Sequence, residues 1–271
     1  MIELLEPVLG APVALEELKH KPGRRTTLRA RGARRNAIVK IYASGRAPTV
    51  AARIAALAAG PADVEVPEVL LCEPERHLVV LSEVPGVPLR EALLAGDGET
   101  CERAGAALGA WHRAWLGTSP DPLLPHTAER ELEILASRIE SAPHEIAALV
   151  RAELPSVADG GWAPATVVHR DLYEEQIMVA ERIGLIDLDD TALGPPELDI
   201  GNLYGHIDLL ELRSGLDLSG ITETFFGGYS RTGPPLDASL LERCRSLTLL
   251  RLTCIHRNIS VLERLPDRAS L

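Results

Sequence analysis

The chain has 271 residues, 46% hydrophobic and 25% charged, a composition typical of globular proteins that excludes collagen-like and low-complexity chains. Its formal net charge of −11 argues against nucleic acid as the main partner, because neutralising phosphates requires a basic surface. Apolar runs fall far short of the roughly 18 residues that suggest a membrane span, and Glu3 and Glu6 stand where an export signal carries positive charge. We therefore expect a cytoplasmic protein with neither a nucleic-acid nor a membrane partner.

The first third of the chain has the pattern of short strands. Segments 26–30 and 37–43 are apolar or β-branched and flank the polar turn RGARRN, which predicts a β-hairpin. Helical spacing of apolar residues after Pro48 predicts a helix over 49–59. Segments 66–72 and 77–81 then predict two more strands, joined by the turn CEPER.

The run SEVPGVPL at 82–89 interrupts this pattern, because its two prolines and its glycine end regular structure. We place a domain boundary here, between an N-terminal part, 1–85, and a C-terminal part, 86–271. Beyond the run, apolar residues recur with the helical period of about 3.6. The predicted helices cover 101–115, 128–142, 144–154, 203–212, 221–229 and 240–262. The sequence therefore predicts an α+β fold.

Charge is distributed unevenly along the chain. Residues 18–53 contain eleven basic residues and no acidic one, whereas residues 187–226 contain nine acidic residues and a single basic one, Arg213. Both segments could be ordinary solvated surface. The functional alternative is that one part of the protein binds an anion and another binds a metal or a cation.

Segment 167–203, with the sequence VVHRDLYEEQIMVAERIGLIDLDDTALGPPELDIGNL, predicts a β-hairpin of strands 177–179 and 183–186. A turn centred between Glu181 and Arg182 makes paired residue numbers add up to 363, so Gln176 faces Asp187. Cross-strand neighbours have Cβ atoms ~5 Å apart. A carboxamide and a carboxylate at that separation could seat Mg²⁺, which prefers oxygen ligands. Asp171, on the loop before this hairpin, could accept a proton from a hydroxyl nucleophile.

The motifs VHRDLYEEQ, LIDLDD and PPELDIGNL resemble the signature of the aminoglycoside phosphotransferase family, relatives of choline kinases and protein kinases. The resemblance implies a two-lobed protein-kinase-like fold, with a small β-rich N-terminal lobe and a larger, mainly helical C-terminal lobe. It implies that Asp171 is the catalytic aspartate, that Asp187 and Gln176 bind the metal, and that Asp199 holds the backbone of the catalytic loop.

The same resemblance suggests where a nucleotide would bind. Lys40, in the segment VKIY, matches the family's strand lysine that contacts phosphates. The segment HKPGRRT replaces the usual glycine-rich loop, so Arg24 and Arg25 are candidate phosphate contacts. Glu83 and Val84 would offer backbone groups to adenine or guanine.

Two further departures concern the metal and the lysine. Position 176 is usually Asn in the family, and Gln keeps the amide oxygen but adds a methylene. The predicted helix over 49–59 contains no acid to pair with Lys40, which leaves Glu65 or Glu68 as substitutes.

The leading hypothesis is an enzyme that moves the terminal phosphoryl group of ATP or GTP, with Mg²⁺, to a hydroxyl of a small molecule. One alternative is a catalytically weak regulatory or nucleotide-binding module. Another is a metal-dependent phosphohydrolase in which His169, Asp171, Asp187 and Asp189 converge on the metal.

The acids of segment 187–226 bear on the acceptor. Seven of them have no task in the motif, and several are expected to border the acceptor pocket. Carboxylates around a cleft attract cations, which predicts an amine-bearing or neutral polyhydroxylated acceptor such as an aminoglycoside, amino sugar or amino alcohol. The competing interpretation is that Asp208, Glu211, Asp217 and Glu223 form a solvated face far from the cleft.

Overall fold

The computed structural model describes residues 1–266. The strands are β1 (Ala14–Lys21), β2 (Arg25–Arg31), β3 (Asn36–Tyr42), β4 (Val64–Glu65), β5 (Val69–Glu73), β6 (Leu78–Ser82), β7 (Val87–Pro88), β8 (Thr166–Val168), β9 (Ile177–Val179), β10 (Ile183–Leu185) and β11 (Ala192–Gly194). The helices are α1 (Ile2–Leu9), α2 (Ala47–Ala56), α3 (Leu89–Ala95), α4 (Gly98–Ala114), α5 (Ala128–Glu140), α6 (His144–Glu153), α7 (Pro155–Ala158), α8 (Pro196–Ser214), α9 (Ser219–Thr232) and α10 (Ala238–His256). A strand-rich N-terminal lobe precedes a mainly helical C-terminal lobe, which confirms the predicted α+β fold.

The N-terminal lobe is built on a five-stranded sheet of order β1-β2-β3-β6-β5, in which each neighbouring pair is antiparallel. Strands β2 and β3 form the predicted hairpin, with Leu28 opposite Val39. Alternate residues of this hairpin, Leu28 and Ala30 on one strand and Ala37 and Val39 on the other, share one apolar cluster. The β5–β6 pair confirms the second predicted strand pair.

Two N-terminal elements, α1 and β1, leave no pattern in the sequence that predicts them. Helix α1 is short and contains Pro7, and it is held by Leu5 and Leu9, which are fully buried in the cluster beneath the sheet. Strand β1 is an edge strand whose side chains are almost all exposed, so it lacks the alternation of a half-buried strand. Tertiary packing and edge pairing form these elements.

A smaller sheet of order β4-β10-β9-β7 joins the two predicted parts of the chain. Strand β4 comes from the N-terminal part and the other three strands come from the C-terminal part, and the division between residues 85 and 86 stays a prediction. Helix α2 packs against β5 and β6 of the large sheet, and also against the turn at 188–190. The predicted catalytic segment therefore lies against the N-terminal lobe.

The register of the β9–β10 hairpin differs from the prediction by one residue. The observed pairs have numbers that add up to 362, and the Ile186 amide donates to the Gln176 carbonyl at 3.0 Å. The turn contains three residues rather than two, because the Ala180 amide donates to the Arg182 carbonyl around Glu181. Gln176 therefore pairs with Ile186, and the prediction that it faces Asp187 across the ladder is wrong.

In the C-terminal lobe, α4 packs along α9 and α8 packs along α10. The two helices α4 and α9 approach closely because Gly105 has no side chain. A Cβ atom at this position would lie 1.9 Å from the Phe225 carbonyl oxygen. The predicted helices are confirmed, although α8 begins at Pro196, earlier than the predicted 203, and α10 ends at His256, before the predicted 262. Within residues 1–266, no helix is long and apolar enough to cross a membrane.

Candidate active site

The loop between β8 and β9 carries Asp171 and is fixed by hydrogen bonds to helix α8. The buried carboxylate of Asp199, in the first turn of α8, accepts hydrogen bonds from the backbone amides of His169 and Arg170, both at 2.7 Å. Arg170 has a φ of 75°, an uncommon conformation for a residue with a side chain. These two bonds hold that turn, and the Asp171 side chain next to it is exposed. The role predicted for Asp199 is confirmed.

A second residue of α8, Asn202, also holds the loop. Its side-chain amide donates to the Leu172 carbonyl at 2.7 Å, while its oxygen accepts bonds from Thr248 and Arg251 of α10. The motif analysis did not single out Asn202. Its position three residues after Asp199, which places both on one face of a helix, is the signal that points to it.

Asp187 lies at the end of the β9–β10 hairpin, in the left-handed region with a φ of 61°. Its Oδ1 accepts a hydrogen bond from Lys40 Nζ at 2.7 Å, and Arg25 donates to both carboxylate oxygens at 2.9 and 3.1 Å. Burial raises the pKa of this carboxyl, but the charges of Lys40 and Arg25 outweigh burial and hold the pKa well below its usual range. Asp187 is therefore ionised and contacts two cations.

Asp189 takes the place of the acid that the predicted helix over 49–59 lacks. Lys40 Nζ donates to Asp189 Oδ1 at 2.5 Å, the Tyr42 hydroxyl donates to Oδ2 at 2.8 Å, and Arg25 also contacts this carboxylate. The residue is 3% exposed. Neither Glu65 nor Glu68 pairs with Lys40, so that expectation is wrong.

Helix α2 meets the acidic turn at 188–190 with basic residues. Arg46 donates to Asp190 Oδ1 at 2.8 Å, and Arg53 donates to the Asp189 carbonyl at 3.1 Å. The charges at this contact are thus opposite to those that the resemblance implies, because the helix side is basic where a glutamate that pairs with the strand lysine is expected. The signal in the sequence is a helix that contains Arg53 and no acid and follows directly after Arg46, together with a double aspartate after LIDL.

A cavity of 1390 Å³ lies beside these groups. Of the predicted site residues, it is lined by Arg24, Arg25, Asp171 and Asp187. The turn with Arg24 and Arg25, at 21–25 between β1 and β2, therefore borders the same space as the loop that carries Asp171.

The other predicted site residues do not line the cavity. Lys40 reaches the site through Asp187, and Glu83 accepts a hydrogen bond from Arg29 Nε at 2.7 Å. Val84 is buried beside Gly184. Gln176 is 3% exposed, and its Oε1 has no hydrogen-bond partner among the described residues. The residue is adjacent through the backbone to Ile186, which precedes Asp187.

The unpaired oxygens of Asp187 and Gln176 are of the kind that Mg²⁺ prefers. A carboxylate has about four lone-pair sites, and on Asp187 only Oδ2 has one unused, because Oδ1 accepts two hydrogen bonds. The buried amide oxygen of Gln176 is also unpaired among the described residues, but Gln176 pairs with Ile186 instead of facing Asp187, so its place beside Asp187 in a metal site stays a prediction.

The structure contradicts the phosphohydrolase hypothesis. Asp189 is committed to Lys40 and Tyr42, and His169 Nε2 donates to the Ile186 carbonyl at 2.7 Å. In the part of the chain that the structure describes, no group of three or more His, Cys, Asp or Glu residues could hold a metal.

The expectation that several acids of segment 187–226 border the acceptor pocket holds for only two of the seven that have no task in the motif. Asp189 and Asp190 line the cavity, each paired with a basic side chain, and the other five do not line it. Asp208 accepts from Arg245 Nε at 2.8 Å, and Glu211 accepts from Arg264 at 2.9 Å, away from the cavity. The competing interpretation, a solvated face, describes the exposed Asp217 and Glu223, whereas Asp208 is buried against Arg245.

A comparison with protein-family models identifies the family of the chain. Residues 19–231 match the family model named APH, the phosphotransferase enzyme family. The chain belongs to this family. No protein in a search of curated proteins matches the chain.

The chain shares its fold with solved structures of phosphotransferases and kinases. One is a thermostable mutant of the aminoglycoside phosphotransferase APH(4)-Ia, with 16% identity and a TM-score of 0.67, covering 97% of this chain and 94% of that one. Another is the choline kinase LicA from Streptococcus pneumoniae, with 15% identity and a TM-score of 0.65, covering 96% and 88%. A third is the amicoumacin kinase hAmiN in complex with AMP-PNP, Ca2+ and Ami, with 17% identity and a TM-score of 0.65, covering 95% and 83%.

Proposed function

We propose that this phosphotransferase moves the terminal phosphoryl group of ATP or GTP to a hydroxyl group of a small molecule. The observation that carries the proposal is the cavity on which Asp171 and Asp187 open together, beside a loop fixed by Asp199. Phosphoryl transfer asks little covalent chemistry of a protein, and depends on positioning and on neutralising charge. The solved neighbour in complex with AMP-PNP and Ca2+ supports a nucleotide donor and a divalent cation.

Asp171 is the proposed catalytic residue. It is exposed to the cavity and accepts the proton of the acceptor hydroxyl, which orients that oxygen toward the phosphoryl group. Asp199 and Asn202 serve it indirectly by fixing the loop backbone. Because these bonds fix the backbone on either side of Asp171, they hold its carboxylate in position for the acceptor.

Lys40, Arg24 and Arg25 are the proposed phosphate contacts, and Glu83 and Val84 would offer backbone groups to the base. Asp187 and Gln176 would hold Mg²⁺, which supplies neutralisation of phosphate charge when bound. Arg25 contacts both oxygens of Asp187, so its guanidinium lies beside the carboxylate that would hold the metal, where it would also meet the phosphates.

The test is a screen of nucleotide turnover. The protein is incubated with Mg²⁺ and either ATP or GTP, with and without acceptors from the aminoglycosides, amino alcohols, sugars and sugar acids. We expect nucleoside diphosphate and a phosphorylated acceptor to form together, over a slow background without acceptor. Equal turnover with and without every acceptor would contradict the proposal. Nucleotide binding without transfer to any acceptor would favour the catalytically weak module instead.

A further inference from the structure

The wall of the cavity that helices α5, α8 and α10 form is basic, although the whole chain carries a net charge of −11. These three helices contribute four arginines and two histidines to the lining, and Glu133 is the one carboxylate they place there. An acceptor held by this wall therefore meets positive charge. A site for an amine needs carboxylates or aromatic rings in this position.

Ion pairs account for two of the four arginines. Arg130 donates to Glu133 at 2.6 Å on the surface. Arg251 donates at 2.7 Å to Glu131, which is buried behind the wall. Arg138 and Arg213 remain, and neither makes an ion pair with a carboxylate within residues 1–266.

Arg138 is half-buried, and its surroundings are unfavourable for a cation. Burial has the largest effect and lowers its pKa. The nearby charges of Arg24 and Arg251 lower the pKa further, while Asp171 raises it. Arg213 contacts a histidine, with 2.9 Å between its Nη2 and His256 Nδ1. Guanidinium groups without a carboxylate partner bind carboxylates and phosphates well, because each one presents paired donors.

The carboxyl groups on the catalytic loop offset part of the charge of this wall, with Asp171 near Arg138 and Glu174 near Arg213, but neither carboxylate forms an ion pair with these arginines within residues 1–266. Glu175 is paired with Arg90 at 3.0 Å, and Asp171 is the group that meets the hydroxyl. Glu174 lines the cavity, is 5% exposed, and has an Oε2 atom without a hydrogen-bond partner. This oxygen suits a second hydroxyl of the acceptor.

We propose that the acceptor carries an anionic group, a carboxylate or a phosphate, besides its hydroxyls, and that Arg138 and Arg213 bind this group. The inference rests on the proposed function and deepens it by naming the class of acceptor. It is the opposite of the amine-bearing acceptor that the acidic segment of the sequence predicts. The difference arises because Asp208 and Glu211 of that segment bind Arg245 and Arg264 outside the cavity, while Asp187 and Asp189 are already paired with Lys40.

A charge series of six-carbon polyols tests this inference. D-Gluconate, D-glucitol and D-glucamine differ only at the first carbon, which is a carboxylate, a hydroxymethyl and an aminomethyl group. D-Glucitol 6-phosphate supplies the phosphate as a separate arm. Phosphoryl transfer to each compound is measured by steady-state kinetics. Binding of each compound to the protein loaded with AMP-PNP is measured by calorimetry.

We expect an anionic compound to bind and react best, with a KM about tenfold or more below that of D-glucitol, because a charge-assisted hydrogen bond contributes that much. D-Glucamine should be the poorest. The preference should shrink at high ionic strength. Arg138→Gln and Arg213→Gln should each raise KM for the anionic compound and leave kcat with D-glucitol unchanged. Arg151→Gln, which removes the same charge from the exposed face of α6, should change neither constant.

Several results would overturn the inference. They are equal or tighter binding of D-glucamine, failure of both anionic compounds to bind, or unchanged selectivity in both arginine variants. A fall in kcat with all acceptors in Arg138→Gln would assign this residue to the transferred phosphoryl group instead. A failure of the proposed function can be recognised separately. If the anionic compounds bind in the expected order, the inference is supported, and if nucleotide turnover is then absent with every acceptor, the transferase is refuted.

Discussion

Replacing Asp189 with asparagine tests the unusual partner of Lys40. The carboxylate accepts hydrogen bonds from Lys40 and Tyr42 in a site that is almost fully buried. Removing one partner of a buried ion pair costs about 3 to 5 kcal/mol, because the other charge remains without compensation. Asp187 stays 2.7 Å from Lys40 Nζ and compensates part of that charge. We therefore expect Asp189→Asn to lower the free energy of unfolding by about 3 kcal/mol, at the lower end of that range.

The neighbouring residue provides a matched control. Asp190 pairs with Arg46 and Arg170, but its side chain is 40% exposed, so Asp190→Asn should cost less than about 1 kcal/mol. Urea denaturation at neutral pH, followed by circular dichroism, measures both variants against the wild type. A double-mutant cycle with Lys40→Met then isolates the coupling between Lys40 and Asp189. Equal destabilisation by the two asparagine variants, or a coupling near zero, would refute a buried ion pair at this position.

Two further predictions concern the metal site and the buried carboxylate of Glu131. Gln176→Ala should raise the Mg²⁺ concentration needed for half-maximal transfer, while Gln176→Asn retains the amide oxygen and should not; identical Mg²⁺ dependence in both variants would remove Gln176 from the metal site. Burial raises the pKa of Glu131, but Arg251 and His126 outweigh it and hold the pKa at about 2, so this carboxylate stabilises the fold above about pH 4.5 and loses that contribution as the pH falls toward 2. Glu131→Gln should therefore lose on the order of 3 kcal/mol at neutral pH, and the difference from wild type should shrink in acid; a constant difference at every pH would contradict this.

The sequence predicts most of the fold because its periodicities are strong. The β2–β3 hairpin and helices α4, α5 and α6 begin and end within a few residues of their predicted limits. Strand β1 escapes prediction because an exposed edge strand has no apolar alternation. The hairpin after Gln176 is displaced by one residue because runs this short do not reveal whether a turn has two residues or three.

The candidate site is predictable where a residue acts locally and not where it acts through the fold. Asp171, Asp187 and Asp199 lie in motifs, and the structure brings together the loop, the hairpin and the first turn of α8 that carry them. The partner of Lys40 could not be identified from the sequence, because Asp189 lies nearly 150 positions away on the other lobe. The acids after Asp199 show why charge counted along a chain does not predict charge around a cavity. A helix such as α8 turns residues only a few positions apart to different surroundings.

The measurement that bears most directly on the proposed activity compares wild type, Asp171→Asn and a control, Asp63→Asn, which alters an exposed aspartate outside the cavity. Transfer of a radiolabelled γ-phosphoryl group to the best acceptor is measured beside the affinity for the nucleotide. We expect Asp171→Asn to reduce transfer by at least about 10²-fold, as loss of a general base does, with nucleotide affinity nearly unchanged and Asp63→Asn equal to wild type. Transfer at the wild-type rate by a folded Asp171→Asn protein would contradict the proposed mechanism.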